Sequence, residues 1–297
     1  MAFQSVEHLI DCAQHQPLWQ AVLLDDCQDR DVTQEESFAR MEALWQAMVE
    51  SVENYDPQRR SASGLSGGQG EKMAQAQNTL CGPDMQQVIA TALKVGEHNA
   101  CMGRIVAAPT AGASGVMPAV LLPLWKREGL STHTMVECLY VAAGFGQVIA
   151  TRASISGAEG GCQAEIGSAS GMAAAALVHA RGGCAQQMAA ACAMALQNVL
   201  GLVCDPVAGL VEVPCVKRNV MGAVNAMACA DMALAGIVGA IPCDQVIDAM
   251  DAVGRTLPSA LRETGKGGLA ATPAGRAIAQ QQISPPPRAT TASSGPQ

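Results

Sequence analysis

The 297-residue sequence predicts an all-α fold built from helices rich in alanine, glycine and methionine. Hydrophobic residues make up 49% of the chain and aromatic residues only 3%, so small aliphatic side chains must fill a core of closely packed helices. Alternating runs of β-branched residues, which are typical of strands, are scarce. Short extended pieces are therefore expected only near residues 201–215.

The N-terminal half alternates helical patterns with segments of small residues. Residues 1–60 have the periodicity of two or three amphipathic helices, one of which starts at a capping box of Thr33 and Glu36. The later apolar patterns predict helices at about 84–101 and 131–150, with a strongly apolar run at 116–124. Two loops of small residues separate them, SASGLSGGQG at 61–70 and AAPTAGASG at 107–115.

The C-terminal half continues the same alternation. Its predicted helices lie at about 170–181, 185–200 and 219–240, followed by one capped by Asp244. Its Gly-rich or irregular segments lie at 154–169, 201–218 and 264–275. We expect residues 1–283 to form one helical domain, and the Pro/Ser/Thr-rich residues 284–297 to form a disordered tail.

Charge and targeting signals exclude several classes of function. The net charge is -8, and the sequence shows no basic patch, so no nucleic-acid partner is expected. The first 19 residues lack the basic start and uninterrupted apolar core of a signal peptide. The apolar stretch 220–241 contains Asn225 and Asp231 and is interpreted as a buried helix, not a membrane span. We therefore expect a cytoplasmic protein with no membrane partner.

Twelve cysteines are many for a chain in a reducing compartment, where a disulfide framework is not expected. Most are interpreted as small core residues, among them Cys184, Cys192 and Cys229 in helical stretches rich in alanine and methionine. Cys162, Cys204 and Cys215 each lie in an irregular segment containing glycine or proline. No C-x-x-C occurs, which argues against a zinc ribbon or a thioredoxin-like motif. Three thiolates can hold three corners of a cubane cluster and leave its fourth iron open, although spacing alone does not establish metal binding.

Five long segments carry a resemblance to a known family. They are SGLSGG (63–68), MGRIVAAPTAGASGVMPA (102–119), ASISGAEGGCQAEIGSASGMAAAA (153–176), LGLVCDPVAGLVEVPCVKRN (200–219) and LRETGKGGLAATP (261–273). In these segments the sequence resembles the alpha chain of iron–sulfur-dependent L-serine dehydratases, over about residues 1–280. The resemblance implies a 4Fe-4S cluster held by Cys162, Cys204 and Cys215. It also implies a separate beta chain that contributes to the active site.

The resemblance implies that L-serine is dehydrated and then yields pyruvate and ammonia, with the open iron acting as a Lewis acid. Pyridoxal phosphate is the other usual solution, but none of the five lysines has the surroundings of a Schiff-base lysine. The base that takes the α-proton is left unassigned, since His98 lies in a helical stretch and the beta chain can supply the group.

Backbone donors in the small-residue loops are candidates for binding the substrate carboxylate. The candidate substrate-binding residues are Ser63, Gly64, Ser66, Gly67, Gly68, Asn99, Thr110, Gly112, Ser114, Gly115 and Asn219. The alternative is structural: the glycines can serve helix crossings, and Asn99 and Asn219 can serve as helix caps.

Two other functions remain open at this point. A related lyase could use the same cluster chemistry on L-threonine or L-cysteine. A non-enzymatic iron–sulfur protein could sense oxygen or iron, although a sensor does not need Gly-rich loops that bind a carboxylate.

Overall fold

The computed structural model describes residues 3–283, and it confirms the all-α prediction. Helices make up 69% of the structure, and the described residues form no strand. The α-helices in this part of the chain are α1 (Val6–Cys12), α2 (Leu18–Arg30), α3 (Gln34–Glu53), α4 (Gln69–Ala74), α5 (Gly82–Ala100), α6 (Val116–Glu128), α7 (Thr132–Arg152), α8 (Gly157–Gly160), α9 (Ser168–Ala180), α10 (Ala185–Gln197), α11 (Cys215–Leu234), α12 (Cys243–Thr256) and α13 (Pro273–Ile283). The predicted disordered tail, 284–297, lies outside the described residues.

Helix α9 lies at the centre of the core. It packs against α6, α7, α10 and α11, and its four consecutive alanines at 173–176 have no exposed surface. Small side chains let these helices approach closely. A Cβ on Gly171 would lie 2.9 Å from Cys192 Sγ on α10. The scarcity of aromatic residues is thus matched by a core in which alanine and glycine set the helix spacing.

Helix α7 is the one described helix long and apolar enough to cross a membrane on length and composition alone. Of its most apolar window, 67% is buried inside the protein. Burial of this kind is what a core helix requires, so the apolar character of α7 is weak evidence for a membrane span.

The predicted capping box is confirmed. Thr33 Oγ1 accepts a hydrogen bond from the Glu36 amide at 3.2 Å, and the Glu36 carboxylate accepts one from the Thr33 amide at 2.9 Å. The predicted cap at Asp244 is wrong, because this residue lies inside α12 and its carboxylate accepts hydrogen bonds from the amides of Val6 and Glu7 at the start of α1. The carboxylate therefore caps a helix that is distant in sequence.

The helix predicted at 219–240 is displaced. Helix α11 begins four residues earlier, at Cys215, and ends at Leu234. Gly236 has a φ of 83°, a left-handed conformation that glycine adopts readily and that ends many helices. The apolar residues that follow it, Ile237, Val238 and Ile241, are exposed.

Several local elements were not predicted. They are α4, α8 and α13, a π-helical turn at Gln163–Gly167, and short 3-10 turns such as Val207–Gly209. The extended pieces expected near 201–215 reduce to one parallel bridge between Cys204 and Arg262. This bridge and the π-helical turn both lie at the site described next.

Candidate metal centre

The segment that carries Cys162 is fixed by its neighbour Gln163. The Gln163 side chain is fully buried, donates to the Met250 carbonyl at 2.9 Å and accepts from the Gly201 amide at 2.8 Å. Its backbone amide donates to the Leu202 carbonyl at 3.0 Å. These bonds hold the segment that leads from α8 into α9 against the chain before Cys204. The π-helical turn starting at Gln163 is a local irregularity of the kind that often accompanies functional sites.

Cys204 is positioned by the C-terminal Gly-rich stretch. Its amide donates to the Leu261 carbonyl at 2.9 Å, and its carbonyl accepts from the Glu263 amide at 2.7 Å. The next residue, Asp205, is 2% exposed and accepts from the Leu269 amide at 2.7 Å. The LRETGKGG segment thus supports the Cys204 loop directly.

The side chains of Cys162, Glu165 and Cys204 form a compact group. One ligand atom from each lies within 4.8 Å of the other two. The Cys204 sulfur lies 4.0 Å from Glu165 Oε2. Gly157 faces this group, and a Cβ there would lie 2.7 Å from Glu165 Oε2 and 2.9 Å from Cys204 Sγ. Only glycine therefore fits at position 157 without displacing the group.

Cys215, the third predicted ligand, is the first residue of α11 and is buried. Its sulfur is not part of the group within 4.8 Å. Burial, together with the charges of the nearby Cys162 and Glu165, raises the pKa of Cys215 to about 12. The fold therefore brings two of the three predicted cysteines into direct proximity and the third into electrostatic range of them.

Arg218 supplies positive charge to this site. Its guanidinium donates to Cys162 Sγ at 3.3 Å and to Asp205 Oδ1 at 2.8 Å. A hydrogen bond from Cys204 and then the charge of Arg218 lower the pKa of Cys162. The hydrogen bond to Cys162 and burial raise the pKa of Cys204. Burial raises the pKa of Glu165, and Glu263 adds to the rise. The Cys162 thiol is therefore disposed to ionise, and the Cys204 thiol is not.

This donor set fits a thiolate-bound metal group. Thiols and a carboxylate in a compact group repel one another when ionised, and the charges of Cys162 and Glu165 contribute to the raised pKa of Cys204. A bound cation reverses this effect, because it stabilises each ionised ligand. Sulfur donors favour soft metal groups such as iron–sulfur clusters or zinc.

In the predicted substrate loop at 61–70, several donors are already satisfied internally. The amides of Gly67, Gln69 and Gly70 all donate to the carboxylate of Glu97, which is 1% exposed. The loop is also tied to the Cys215 side of the site, because Ser63 Oγ donates to Glu212 at 2.8 Å.

The remaining predicted residues of this loop serve its local geometry. Gly64 and Gly68 each have a φ of 77°, and Ser66 is buried, with its amide bound to Ser61 Oγ. Substrate contact by this loop stays a prediction.

The second predicted loop, 107–115, lies against the metal centre. A Cβ on Gly112 would lie 3.5 Å from Glu165 Oε1. Asn219 accepts from the Gly115 amide at 2.8 Å and donates to the Gly112 carbonyl at 2.7 Å, and Asn99 donates to the Ala111 carbonyl. Both asparagines therefore hold this loop in place.

Two buried hydroxyl groups of this loop are candidates for binding a ligand. Thr110 Oγ1 and Ser114 Oγ are buried and make no hydrogen bond within residues 3–283. Thr110 nevertheless lies close enough to Glu165 to oppose the rise in its pKa. Buried hydroxyls without partners are costly, so a ligand or solvent molecule that pairs with them is favoured.

Four charged residues of the site were not predicted from the sequence: Glu165, Asp205, Arg218 and Glu97. Each of the first three lies within three residues of a candidate ligand cysteine, and this signal could have identified it. Nothing in the sequence indicates that Glu97 reaches the 61–70 loop. His98 is half-buried, and burial and the nearby Arg59 lower its pKa. Its ring packs over Gly103, where a Cβ would lie 2.2 Å from His98 Nε2.

Comparison with known proteins gives a consistent result. The family described as serine dehydratase alpha chain matches residues 13–270. The chain is 47% identical to the probable L-serine dehydratase, alpha chain, of Bacillus subtilis (strain 168) over 281 residues, covering 93% of this chain and 94% of the relative. It is 57% identical to the probable L-serine dehydratase, alpha chain, of Latilactobacillus sakei over 197 residues, covering 66% of this chain and 94% of the relative. It is 46% identical to L-serine dehydratase 2 of Escherichia coli (strain K12) over 182 residues, covering 60% of this chain and 40% of that longer protein.

Proposed function

The chain belongs to the serine dehydratase alpha-chain family, and from this premise we propose that it dehydrates L-serine to pyruvate and ammonia. The similarity to L-serine dehydratase alpha chains, over nearly the whole chain, supports this activity. The observation that carries the proposal is the compact group of Cys162, Cys204 and Glu165, which lies against the 107–115 loop. In that loop the buried Ser114 hydroxyl has no hydrogen-bond partner within the described residues. A set of metal-binding side chains therefore lies next to a polar site that can bind a ligand.

We propose that the metal group is a 4Fe-4S cluster held by Cys162, Cys204 and Cys215. When bound through three cysteines, such a cluster supplies an open iron, a Lewis acid towards the β-hydroxyl of L-serine. Arg218 offsets the negative charge of the Cys162 thiolate through its hydrogen bond, and Asp205 orients the guanidinium.

The substrate would lie between the cysteines and the 107–115 loop. The Ser114 hydroxyl has no hydrogen-bond partner within the described residues, and the Thr110 hydroxyl lies beside Glu165, so both can donate to the substrate carboxylate. Asn219 fixes the backbone of this loop at both Gly112 and Gly115, so the donors are held in place before substrate binds. Loss of the α-proton and of the β-hydroxyl then gives aminoacrylate, which tautomerises and hydrolyses to pyruvate and ammonia.

We also propose a separate beta chain as partner, in the cytoplasm. The relatives that match over 94% of their own length are named alpha chains, whereas L-serine dehydratase 2 of Escherichia coli matches over only 40% of its length. The partner would complete the active site, including the group that accepts the α-proton.

The test is an anaerobic assay of the cluster-loaded chain with and without its beta chain. We expect pyruvate and ammonia in equal amounts from L-serine, with turnover that rises on mixing, and slower reaction of L-threonine and L-cysteine. Preference for L-threonine or L-cysteine would replace the substrate assignment. If none of the three amino acids is converted, even in the presence of the beta chain, the result would favour an iron–sulfur sensor and contradict the proposal.

A further inference from the structure

Arg262 is a half-buried cation without a partner. Its side chain forms no hydrogen bond and no ion pair within residues 3–283, and its Nε is fully shielded from solvent. The backbone around it is fixed, because the flanking residues Leu261 and Glu263 both pair with Cys204. Leaving a buried guanidinium donor unpaired is costly, so an anionic ligand at this position would be stabilised.

The Arg262 side chain lines a cavity of about 280 Å³ that adjoins the metal centre. Helix α8 separates the two. Residue 157 faces Glu165 and Cys204, whereas residues 158–160 line the cavity. Arg262 lines the cavity, whereas the amide of its neighbour Glu263 donates to the Cys204 carbonyl at 2.7 Å.

The charges in the cavity wall complement a small zwitterion. Arg255 also lines the cavity, but Asp251 neutralises it at 2.7 Å. This leaves Arg262 as the unpaired cation and Glu159 as a carboxylate that forms no ion pair within the described residues. Ser154 Oγ accepts from the Ser156 amide and keeps its own proton free to donate.

From this arrangement we propose that the cavity is a binding site for a small α-amino acid, with its carboxylate on Arg262 and its ammonium group towards Glu159. The volume is slightly below the roughly 300–1,000 Å³ of pockets for larger ligands, which favours an amino acid with a short side chain. The choice of L-serine as this amino acid rests on the proposed function. The site is distinct from the one beside Thr110.

The test is calorimetric titration of the metal-free full-length chain with L-serine, glycine, pyruvate and acetate. We expect L-serine and glycine to bind more tightly than pyruvate and acetate, which lack the ammonium group. Arg262→Gln should weaken L-serine binding by about tenfold or more, because a charge-assisted hydrogen bond pair is lost. Ala158→Leu, which fills the cavity and retains Arg262, should weaken it as well.

Arg255→Gln is the matched control, since it removes a cavity-lining arginine that already has a partner. It should change L-serine affinity by less than about threefold. Unchanged binding in both Arg262→Gln and Ala158→Leu would place the ligand elsewhere and overturn the inference, as would acetate binding as tightly as L-serine. Absence of lyase activity in the assembled enzyme would defeat the proposed function without changing this titration.

Discussion

Replacing Glu97 by glutamine should strongly destabilise the protein. The Glu97 carboxylate is 1% exposed and accepts hydrogen bonds from four donors: Tyr55 Oη at 2.6 Å, the Gly67 amide at 3.1 Å, the Gln69 amide at 2.9 Å and the Gly70 amide at 3.1 Å. In Glu97→Gln one acceptor oxygen becomes an NH₂ group that faces at least two of these donors. Two buried unsatisfied donors cost about 1–3 kcal/mol each, so the expected loss is roughly 2–6 kcal/mol.

The assay is urea unfolding of the metal-free chain, followed by far-ultraviolet circular dichroism. The matched control is Glu71→Gln, which removes the partly exposed ion pair between Glu71 and Lys94 at 3.3 Å and should cost less than about 1 kcal/mol. At about 2 °C per kcal/mol, the Tm of Glu97→Gln should fall by roughly 4–12 °C. A free energy of unfolding within about 1 kcal/mol of the wild type would refute the claim that Glu97 organises the 61–70 loop.

Three further predictions concern the metal centre and the pH dependence of stability. Cys204→Ser should abolish both the visible absorbance of the reconstituted chain and its activity, and full iron, sulfide and turnover in this variant would contradict the ligand assignment. Cys184→Ala should retain both, because Cys184 lies at an exposed helix cap and not, as expected from the sequence, in the core. Activity should decay in air and return with ferrous iron and a thiol reductant, and stable activity after removal of all iron would count against the mechanism. Hydrogen bonding to Arg30 lowers the pKa of Asp26, so its ionised form stabilises the fold above its ordinary pKa and loses that effect as pH falls through the folded value. Asp26→Asn should therefore cost up to about 1 kcal/mol near neutral pH and nothing in strong acid, and equal destabilisation at both pH values would contradict this assignment.

Composition and periodicity were sufficient to predict the helices that form the core. The Ala-rich helices α9 and α10 were expected within a few residues, because helices buried among helices need small side chains and a regular apolar pattern. Helix α11 was misplaced by four residues at its start. The sequence VEVPCVKR gives no strong cap, and the irregular stretch before Cys215 is set by long-range contacts.

The site was only partly predictable for a similar reason. Gly-rich segments indicated where backbone and ligand can approach closely, and the cysteines in them indicated candidate ligands. The partner of each donor depends on tertiary structure. The amides at 67–70 bind Glu97, and Asp244 caps a helix more than two hundred residues earlier in the chain. Such pairings leave no local pattern in a single sequence.

An anaerobic spectrum of the reconstituted chain, recorded before and after addition of L-serine, tests the central claim most directly. We expect a broad visible absorbance, iron and sulfide in a ratio of about one, and a spectral change that L-serine produces and D-serine does not. The change should be absent in Cys162→Ser. A chain that binds zinc in preference to iron, or an iron–sulfur spectrum that L-serine leaves unchanged in the presence of the beta chain, would contradict it.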